Sequence, residues 1–389
     1  MGLEDPDALR VLQGAFARRN CHHADGLVGR FYARWFALDT SVRDLFPPEM
    51  DGQRASFTHA LRWVYGELVA QRAQTLVTFL AQLGRDHRKY GVLPTHYETL
   101  RPALYATLRN DLGDAWSDAV DEAAQQSLRL ITGVMSGAAA ADTDPAWWDG
   151  TVLDNRRVSR DLAVIRLHLD HPMHYHPGQY LNVQIPQCPR RWRYLSPAIP
   201  TDPNGAIEFH VRVVPGGLVS PVLVNETRPG DRWRLSSPHG ALHVDRNAGD
   251  ILMVAGSTGL APLRALILDL SRYAINPRVH LFFGARYPCE LYDLRTLWEV
   301  ASHNSWLLVS PVSEYNRNPA WAVDYPDPSP PRGLHVRQTG RLPEVVTQYG
   351  SWGDRQILIS GRPAMIAATK AALIAQGAPP GNIRHDPVP

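Results

Sequence analysis

The sequence predicts a multidomain chain: an all-α domain, then a small antiparallel β-barrel, then an α/β domain built on a parallel sheet. Three observations predict it. Apolar residues recur at helical spacing over 9–135. After Trp147-Trp148 the period falls from 3.6 towards 2, in short runs separated by Pro and Gly. From Ile251 onward, short apolar runs alternate with helix-like stretches. A length of 389 residues accommodates two or three cores of ordinary size, with boundaries expected at 1–142, 146–246 and 247–389.

Composition excludes several classes of function. Forty basic against 38 acidic residues give a net charge of +2, too little for a field that gathers nucleic acid. The stretch 1–10 is charged and lacks an apolar run, so no signal peptide is expected. No stretch approaches the roughly 18 uninterrupted apolar residues of a membrane span. Cys21, Cys188 and Cys289 are odd in number and far apart, which argues against a disulfide framework or a zinc site. A soluble cytoplasmic protein is the expectation.

In the first segment, Asp5-Pro6 sets a capping acid before a proline suited to a first helical position. Helices are expected around 9–16 and 27–38, then over 57–69, 76–89, 97–112 and 118–135. Breaks fall at Pro47-Pro48, at Gly91 with Pro94, and at Gly113. An alanine- and aspartate-rich connector is expected over 138–145. His87 stands just before Gly91, where a neutral imidazole near a helix end can enter a pocket and bind haem iron. Tyr97 is placed to hydrogen-bond near that ligand and tune it. Tyr32 and Gln53 are a phenol and an amide able to donate to iron-bound oxygen, and Phe46 could wedge against the macrocycle. His59 and His96 compete with His87 on these grounds.

In the middle segment, strands are expected over 162–169, 180–185, 207–214 and 232–235. A flavin needs a cation and N–H groups for its pyrophosphate, with hydroxyls and aromatic faces for its ring. Pro177-Gly178-Gln179-Tyr180, Arg193-Tyr194-Leu195-Ser196 and Gly216-Gly217-Leu218-Val219-Ser220 offer these groups in that order. In the last segment, the apolar run 251–255 leads into Gly256-Ser257-Thr258-Gly259-Leu260-Ala261-Pro262 and a helix over 263–272. Glycines let backbone approach a pyrophosphate, and a helix start offers N–H groups. Further strands at 279–283, 306–309 and 357–359 alternate with helices at 294–301, 342–349 and 364–376, a doubly wound pattern.

The order of these residues carries a resemblance. Phe31-Tyr32, Val42-Arg43-Asp44-Leu45-Phe46, Gln53-Arg54, His87 and Pro94-x-x-Tyr97 resemble the globin domain of flavohaemoglobins. The glycine, arginine and serine motifs that follow resemble the FAD and NAD(P) domains of the ferredoxin-reductase superfamily. They include Gly284-Ala285-Arg286, Leu291-Tyr292-Asp293 and Ser360-Gly361-Arg362-Pro363. The resemblance implies a divergent flavohaemoglobin with haem b, FAD and NAD(P)H as cofactors and O₂ and nitric oxide as small-molecule partners. Its function would be an O₂-dependent oxidation, nitric oxide dioxygenation first. It implies His87 as iron ligand, Tyr32, Gln53 and Tyr97 as catalytic groups, and Phe46 packed on the haem. Cofactor contacts would come from Gln179, Tyr180, Arg193, Tyr194, Ser196, Gly216, Gly217 and Ser220, then Gly256, Thr258, Gly259, Pro262, Arg286, Ser360 and Gly361. Arg286 could meet an adenosine 2′-phosphate or be an ordinary surface arginine, and NADH and NADPH both stay open.

Four positions depart from the pattern. Ala138 stands where a glutamate supports the proximal histidine, Leu195 where a tyrosine packs on the flavin, Ser360 where a cysteine is usual, and Arg362 interrupts a Gly-Pro pair. Those departures imply a weaker push on bound oxygen, looser flavin and slower hydride transfer. They also leave room for another electron donor or acceptor, or for a haem-based sensor with a vestigial reductase half.

Overall fold

The computed structural model describes residues 5–240, 242–322 and 336–386. The stretch 1–4, on which part of the signal-peptide expectation rests, lies outside them. The chain divides into two compact units, Met1–Trp147 and Trp148–Pro389.

The first unit is all helical. Helices α1 (Pro6–Ala17), α2 (Leu27–Leu38), α3 (Asp51–Val69), α4 (Ala73–His87), α5 (Pro94–Leu112) and α6 (Asp118–Ala141) surround one core. The cap at Asp5 forms as expected, its carboxylate accepting from the N–H groups of Asp7 and Ala8 at 3.0 Å each. Phe31 is fully buried and lies flat on Phe57, ring centroids 5.0 Å apart. Helices α4 and α6 approach so closely at Gly84 that a Cβ there would lie 2.1 Å from the Met135 carbonyl oxygen. Two boundaries differ from expectation. Helix α3 starts at Asp51, six residues early, because its first turn is polar and gives no periodic signal. Helix α6 runs on to Ala141, into the first half of the expected connector, since a run of alanines continues a helix at no cost in propensity.

Among its described residues the second unit holds two six-stranded sheets. The antiparallel one comprises β1 (Trp148–Ser159), β2 (Leu162–Leu169), β3 (Leu181–Gln184), β4 (Arg193–Leu195), β5 (Ala206–Arg212) and β6 (Arg232–Leu235). Their order is β4-β3-β6-β1-β2-β5. A bridge between Pro197 and Phe209, and the Ala198 N–H on the Glu208 carbonyl at 2.8 Å, bring the two edges together into a nearly closed barrel. Strand β1 is the longest and was not expected, because Asp154, Arg156 and Arg157 hide its alternation. Along β5, Ile207, Phe209 and Val211 enter the barrel core, where Phe209 stacks on the fully buried Trp233. Glu208, His210 and Arg212 therefore share the opposite face.

The second sheet is wholly parallel, in the order β10-β9-β8-β7-β11-β12. Its strands are β7 (Ile251–Gly256), β8 (Val279–Ala285), β9 (Leu307–Ser313), β10 (Gln338–Thr339), β11 (Gln356–Ser360) and β12 (Ile383–Arg384). Helix α7 (Ser220–Asn225) belongs to the barrel; α8 (Leu260–Leu270), α9 (Leu294–His303), α10 (Leu342–Gln348) and α11 (Pro363–Ala375) accompany the parallel strands. From β7 the chain winds outward through β8 and β9, then returns to place β11 on β7's other side. The strand order thus reverses at β7, and a crevice opens at the C-terminal ends of β7 and β11, where such sheets bind ligands. Among the described residues no helix is long and apolar enough to cross a membrane.

Candidate functional site

In the first unit, His87 ends α4 and is only partly shielded from solvent. Its Nδ1 lies 2.5 Å from the Leu83 carbonyl, which makes Nδ1 the protonated nitrogen and leaves the Nε2 lone pair free. Burial lowers its pKa, so the neutral imidazole, the form that binds iron, is favoured. Tyr32 is 3 % exposed, and its oxygen accepts from Gln53 Nε2 at 3.0 Å. Desolvation raises the Tyr32 pKa, so its own O–H proton stays in place and can donate elsewhere. Phe46 stands edge-on to Tyr32, ring centroids 5.3 Å apart. Tyr32, Gln53 and Phe46 are thus one contiguous group.

Tyr97 is different. It is 7 % exposed, its hydroxyl has no hydrogen-bond partner, and burial pushes its pKa up to about 12. A buried hydroxyl without a partner costs about 1–3 kcal/mol, so the Tyr97 O–H is a donor left over for a bound group. Of the competing histidines, His96 is buried and accepts the Leu93 N–H at 3.0 Å to cap α5, which assigns it a structural task. A neutral imidazole with one free nitrogen, a phenol–amide pair and partly buried aromatics form a donor set that fits haem.

In the second unit, a cavity of about 290 Å³ lies between the barrel and the crevice of the parallel sheet. Tyr194, Leu195, Ser196, His210 and Arg212 form the barrel side; Gly256, Thr258, Gly259, Pro262, Ser360 and Gly361 form the other. Eight of the expected residues meet here: Tyr194, Ser196, Gly256, Thr258, Gly259, Pro262, Ser360 and Gly361. Tyr194 and Leu195 both reach it, although strand alternation separates their side chains: Leu195 packs on the barrel core, while Tyr194 is exposed and edge-on to Tyr180. Crowding requires glycine at 259, and backbone conformation requires it at 361. A Cβ on Gly259 would fall 2.3 Å from the Ser360 carbonyl oxygen, and one on Gly361 2.3 Å from Met365 Cε, at a φ of +156°.

Other expected residues are elsewhere in the unit. Gln179 Oε1 accepts from the His176 N–H and closes the Pro177-Gly178 turn. Arg193 is exposed and donates to the Trp192 carbonyl. Gly216, at φ +74°, shapes the loop before α7, and Ser220 Oγ accepts from the Val214 N–H at 2.9 Å. Arg286 lies over Tyr287 and Tyr315, which stack on each other 5.1 Å apart.

Glu208, His210 and Arg264, which the sequence did not single out, form a network with Tyr292 and Asp293. Glu208 is 4 % exposed and receives Arg166 at 2.6 Å, His210 Nε2 at 3.1 Å and Arg264 at 3.2 Å. His210 Nδ1 meets the Tyr292 hydroxyl at 2.8 Å, and Arg264 also pairs with Asp293 at 2.7 Å. Burial alone would raise the Glu208 pKa, but His210, Arg166 and Arg264 outweigh it and pull the carboxyl from 4.5 down to about 2. A carboxylate depressed on folding contributes stability above its unfolded value and loses it as pH falls through the folded one. The expected result is about 3 kcal/mol of stability lost between pH 4.5 and 2, absent in Glu208→Gln, read from acid unfolding monitored by circular dichroism.

A glycine turn at the switch point of a parallel sheet, facing a barrel across one cavity, defines a flavin- and pyridine-nucleotide-type oxidoreductase, here joined to an all-helical unit. Comparison with known proteins gives the family. Residues 149–244 match the oxidoreductase FAD-binding domain model, and residues 29–135 match the globin model. The chain is 32 % identical over 240 residues to the ferredoxin–NAD(P)+ reductase component of naphthalene 1,2-dioxygenase/salicylate 5-hydroxylase systems from a Ralstonia species, covering 61 % of this chain and 67 % of that one. It is 34 % identical over 192 residues to the reductase component of phenol 2-monooxygenase from a Pseudomonas species, covering 47 % and 54 %. The chain thus spans about half to two thirds of the length of these relatives. The crystal structure of the flavohaemoglobin from Malassezia yamatoensis, with bound FAD and haem, superposes over 97 % of this chain and 98 % of that one, with a TM-score of 0.71 and 14 % identity, a likeness of fold. The chain belongs to the ferredoxin–NAD(P)+ reductase family and carries a globin domain ahead of the reductase: it is a globin–reductase fusion with flavohaemoglobin architecture.

Proposed function

We propose that this protein oxidises NAD(P)H and passes the electrons through FAD to haem iron for an O₂-dependent oxidation, with nitric oxide dioxygenation the first activity to assay. The single observation that carries the reading is the cavity with a barrel wall and a glycine-turn wall, where a flavin and a nicotinamide would meet. When bound, FAD supplies the conversion of a hydride into single electrons, and haem supplies an iron that takes those electrons and binds O₂.

The chain's own residues hold, orient and exclude. His87 would ligate iron through Nε2 while Leu83 fixes the ring. The Tyr32 hydroxyl, with its oxygen occupied by Gln53, keeps a proton to donate to a ligand, and Phe46 would pack against the macrocycle. Ser196 and Tyr194 would contact the flavin ring. Ser360 and Gly361 would lie beside the nicotinamide, and the turn from Gly256 to Gly259, with Thr258 and Pro262, would take the pyrophosphate. Gln179, Tyr180, Arg193, Gly216, Gly217 and Ser220 would serve the rest of the FAD, and Arg286 the adenosine end of the nucleotide. The test is an absorption spectrum of the purified protein before and after anaerobic NADH or NADPH. Flavin bleaching followed by ferrous haem supports the path; haem that stays ferric sinks it.

One observation favours a second reading. The Tyr97 hydroxyl lacks a partner, and the resemblance sets Ala138 where a glutamate supports the proximal histidine, so His87 would be the weaker electron donor to iron. An enzyme with another terminal acceptor, or a haem-based gas or redox sensor, fits that feature. Ala138→Glu is expected to raise nitric oxide consumption about tenfold if the missing carboxylate limits it, a gain worth about 1.4 kcal/mol of barrier. No gain in nitric oxide electrode assays would favour the other acceptor or the sensor.

A further inference from the structure

Arg212 ends β5 at the point where the barrel grips the first glycine turn. Its side chain is 13 % exposed and its guanidinium is fully engaged. Nε donates to Asp161 at 2.8 Å, Nη1 to Ser257 Oγ at 2.9 Å, and Nη2 pairs with Glu290. Glu290 in turn accepts the N–H groups of Arg286 and Tyr287, at 3.1 and 3.3 Å. Ser257 lies inside the turn at φ +53°, in the left-handed region that a residue with a Cβ resists. Beyond Ser257 the turn meets fixed backbone: a Cβ on Gly259 would fall 2.3 Å from the Ser360 carbonyl oxygen. A disfavoured backbone persists only where its surroundings over-determine it.

We propose that Arg212 is a positioning residue for the nicotinamide nucleotide, holding the 256–259 turn in its left-handed form through the Ser257 hydroxyl. The inference rests on reading the cavity as the meeting place of flavin and nucleotide. It separates two roles for one hydroxyl. A serine that touched the nucleotide itself would be lost equally in any variant without oxygen. A serine that serves as the handle for Arg212 is dispensable once the backbone needs no holding.

Two variants of the full chain separate these roles while leaving every ion pair of Arg212 in place. Ser257→Ala removes the acceptor and keeps the resistance to positive φ. Ser257→Gly removes the same acceptor and the resistance together. The readouts are steady-state reduction of ferricyanide by NADH and by NADPH in FAD-loaded protein, and amide hydrogen exchange over 256–260 without nucleotide. Ser257→Ala is expected to raise KM for the better nucleotide about tenfold, the loss of one hydrogen bond's effect, with exchange accelerated to match. Ser257→Gly is expected to recover most of the KM lost in Ser257→Ala, and to slow the exchange again. Equal losses in both variants, or no change of KM and exchange in Ser257→Ala, would overturn the proposal. Wild-type protein that neither nucleotide reduces would instead sink the proposed function, and the exchange contrast would still decide whether Arg212 holds the turn.

Discussion

Replacing His87 with alanine is expected to abolish haem retention. The imidazole keeps Nε2 for iron because Nδ1 is spent on the Leu83 carbonyl. Alanine is a better helix former than histidine, so the end of α4 should survive the change. The measurement is haem per protein from the Soret band, with circular dichroism to verify the fold. His59→Ala and His96→Ala are the controls. His96→Ala is expected to lose stability by about 1 kcal/mol through the lost cap while keeping haem. Unchanged haem in His87→Ala would reject the ligand assignment, and loss in His59→Ala alone would transfer it.

Gly259→Ala is expected to have the second largest effect. The added Cβ meets backbone atoms of Ser360 and Gly361, at 2.3 Å from an oxygen, 2.5 Å from a carbonyl carbon and 2.6 Å from a Cα. Neither neighbour is the tip of a flexible side chain, so the β7 turn and the β11 turn must part. Overpacking of this kind costs about 1–3 kcal/mol, and the displacement falls on the two segments that line the cavity. Reduction by NADH or NADPH should fall by about 100-fold or more, as near-ångström misplacement of reacting groups does. The haem content of the first unit should stay at the parent level. Reduction within threefold of the parent would show that this turn does not position the nucleotide.

Much of the architecture was legible because local chemistry and pattern agreed. The Asp5 cap, the apolar run of β7 and the glycines after it each have a local physical cause, and each appears in the structure. The ends of α3 and α6 were illegible for opposite reasons: one opens on a polar turn, the other continues in alanine, which looks the same in a linker. Strand β1 was hidden by charges on a strand that is half solvent-facing. The polar face of β5 was the larger omission. Glu208, His210 and Arg212 alternate with Ile207, Phe209 and Val211, a pattern that reads as one face in the core and one in water. Only the long-range topology shows that α8, Tyr292 and Glu290 cover that second face. A signal was present nonetheless, since an acid, an imidazole and a guanidinium on one strand face make a self-complementary set.

That face of β5 also bears on how such chains can be recombined. Glu208 needs Arg264, His210 needs Tyr292, and Arg212 needs Ser257 and Glu290, so each rung has one end in the barrel and the other in the parallel-sheet half. A chimera that imports a foreign barrel would leave buried Glu290 without its counter-charge and Arg264 with Asp293 alone, a far larger penalty than a mismatched apolar contact. Grafts that cut the chain ahead of Trp148 keep every rung intact. The reductase unit is therefore heritable as a whole, and the junction near Trp148 is where natural or laboratory shuffling can join it to a new electron acceptor.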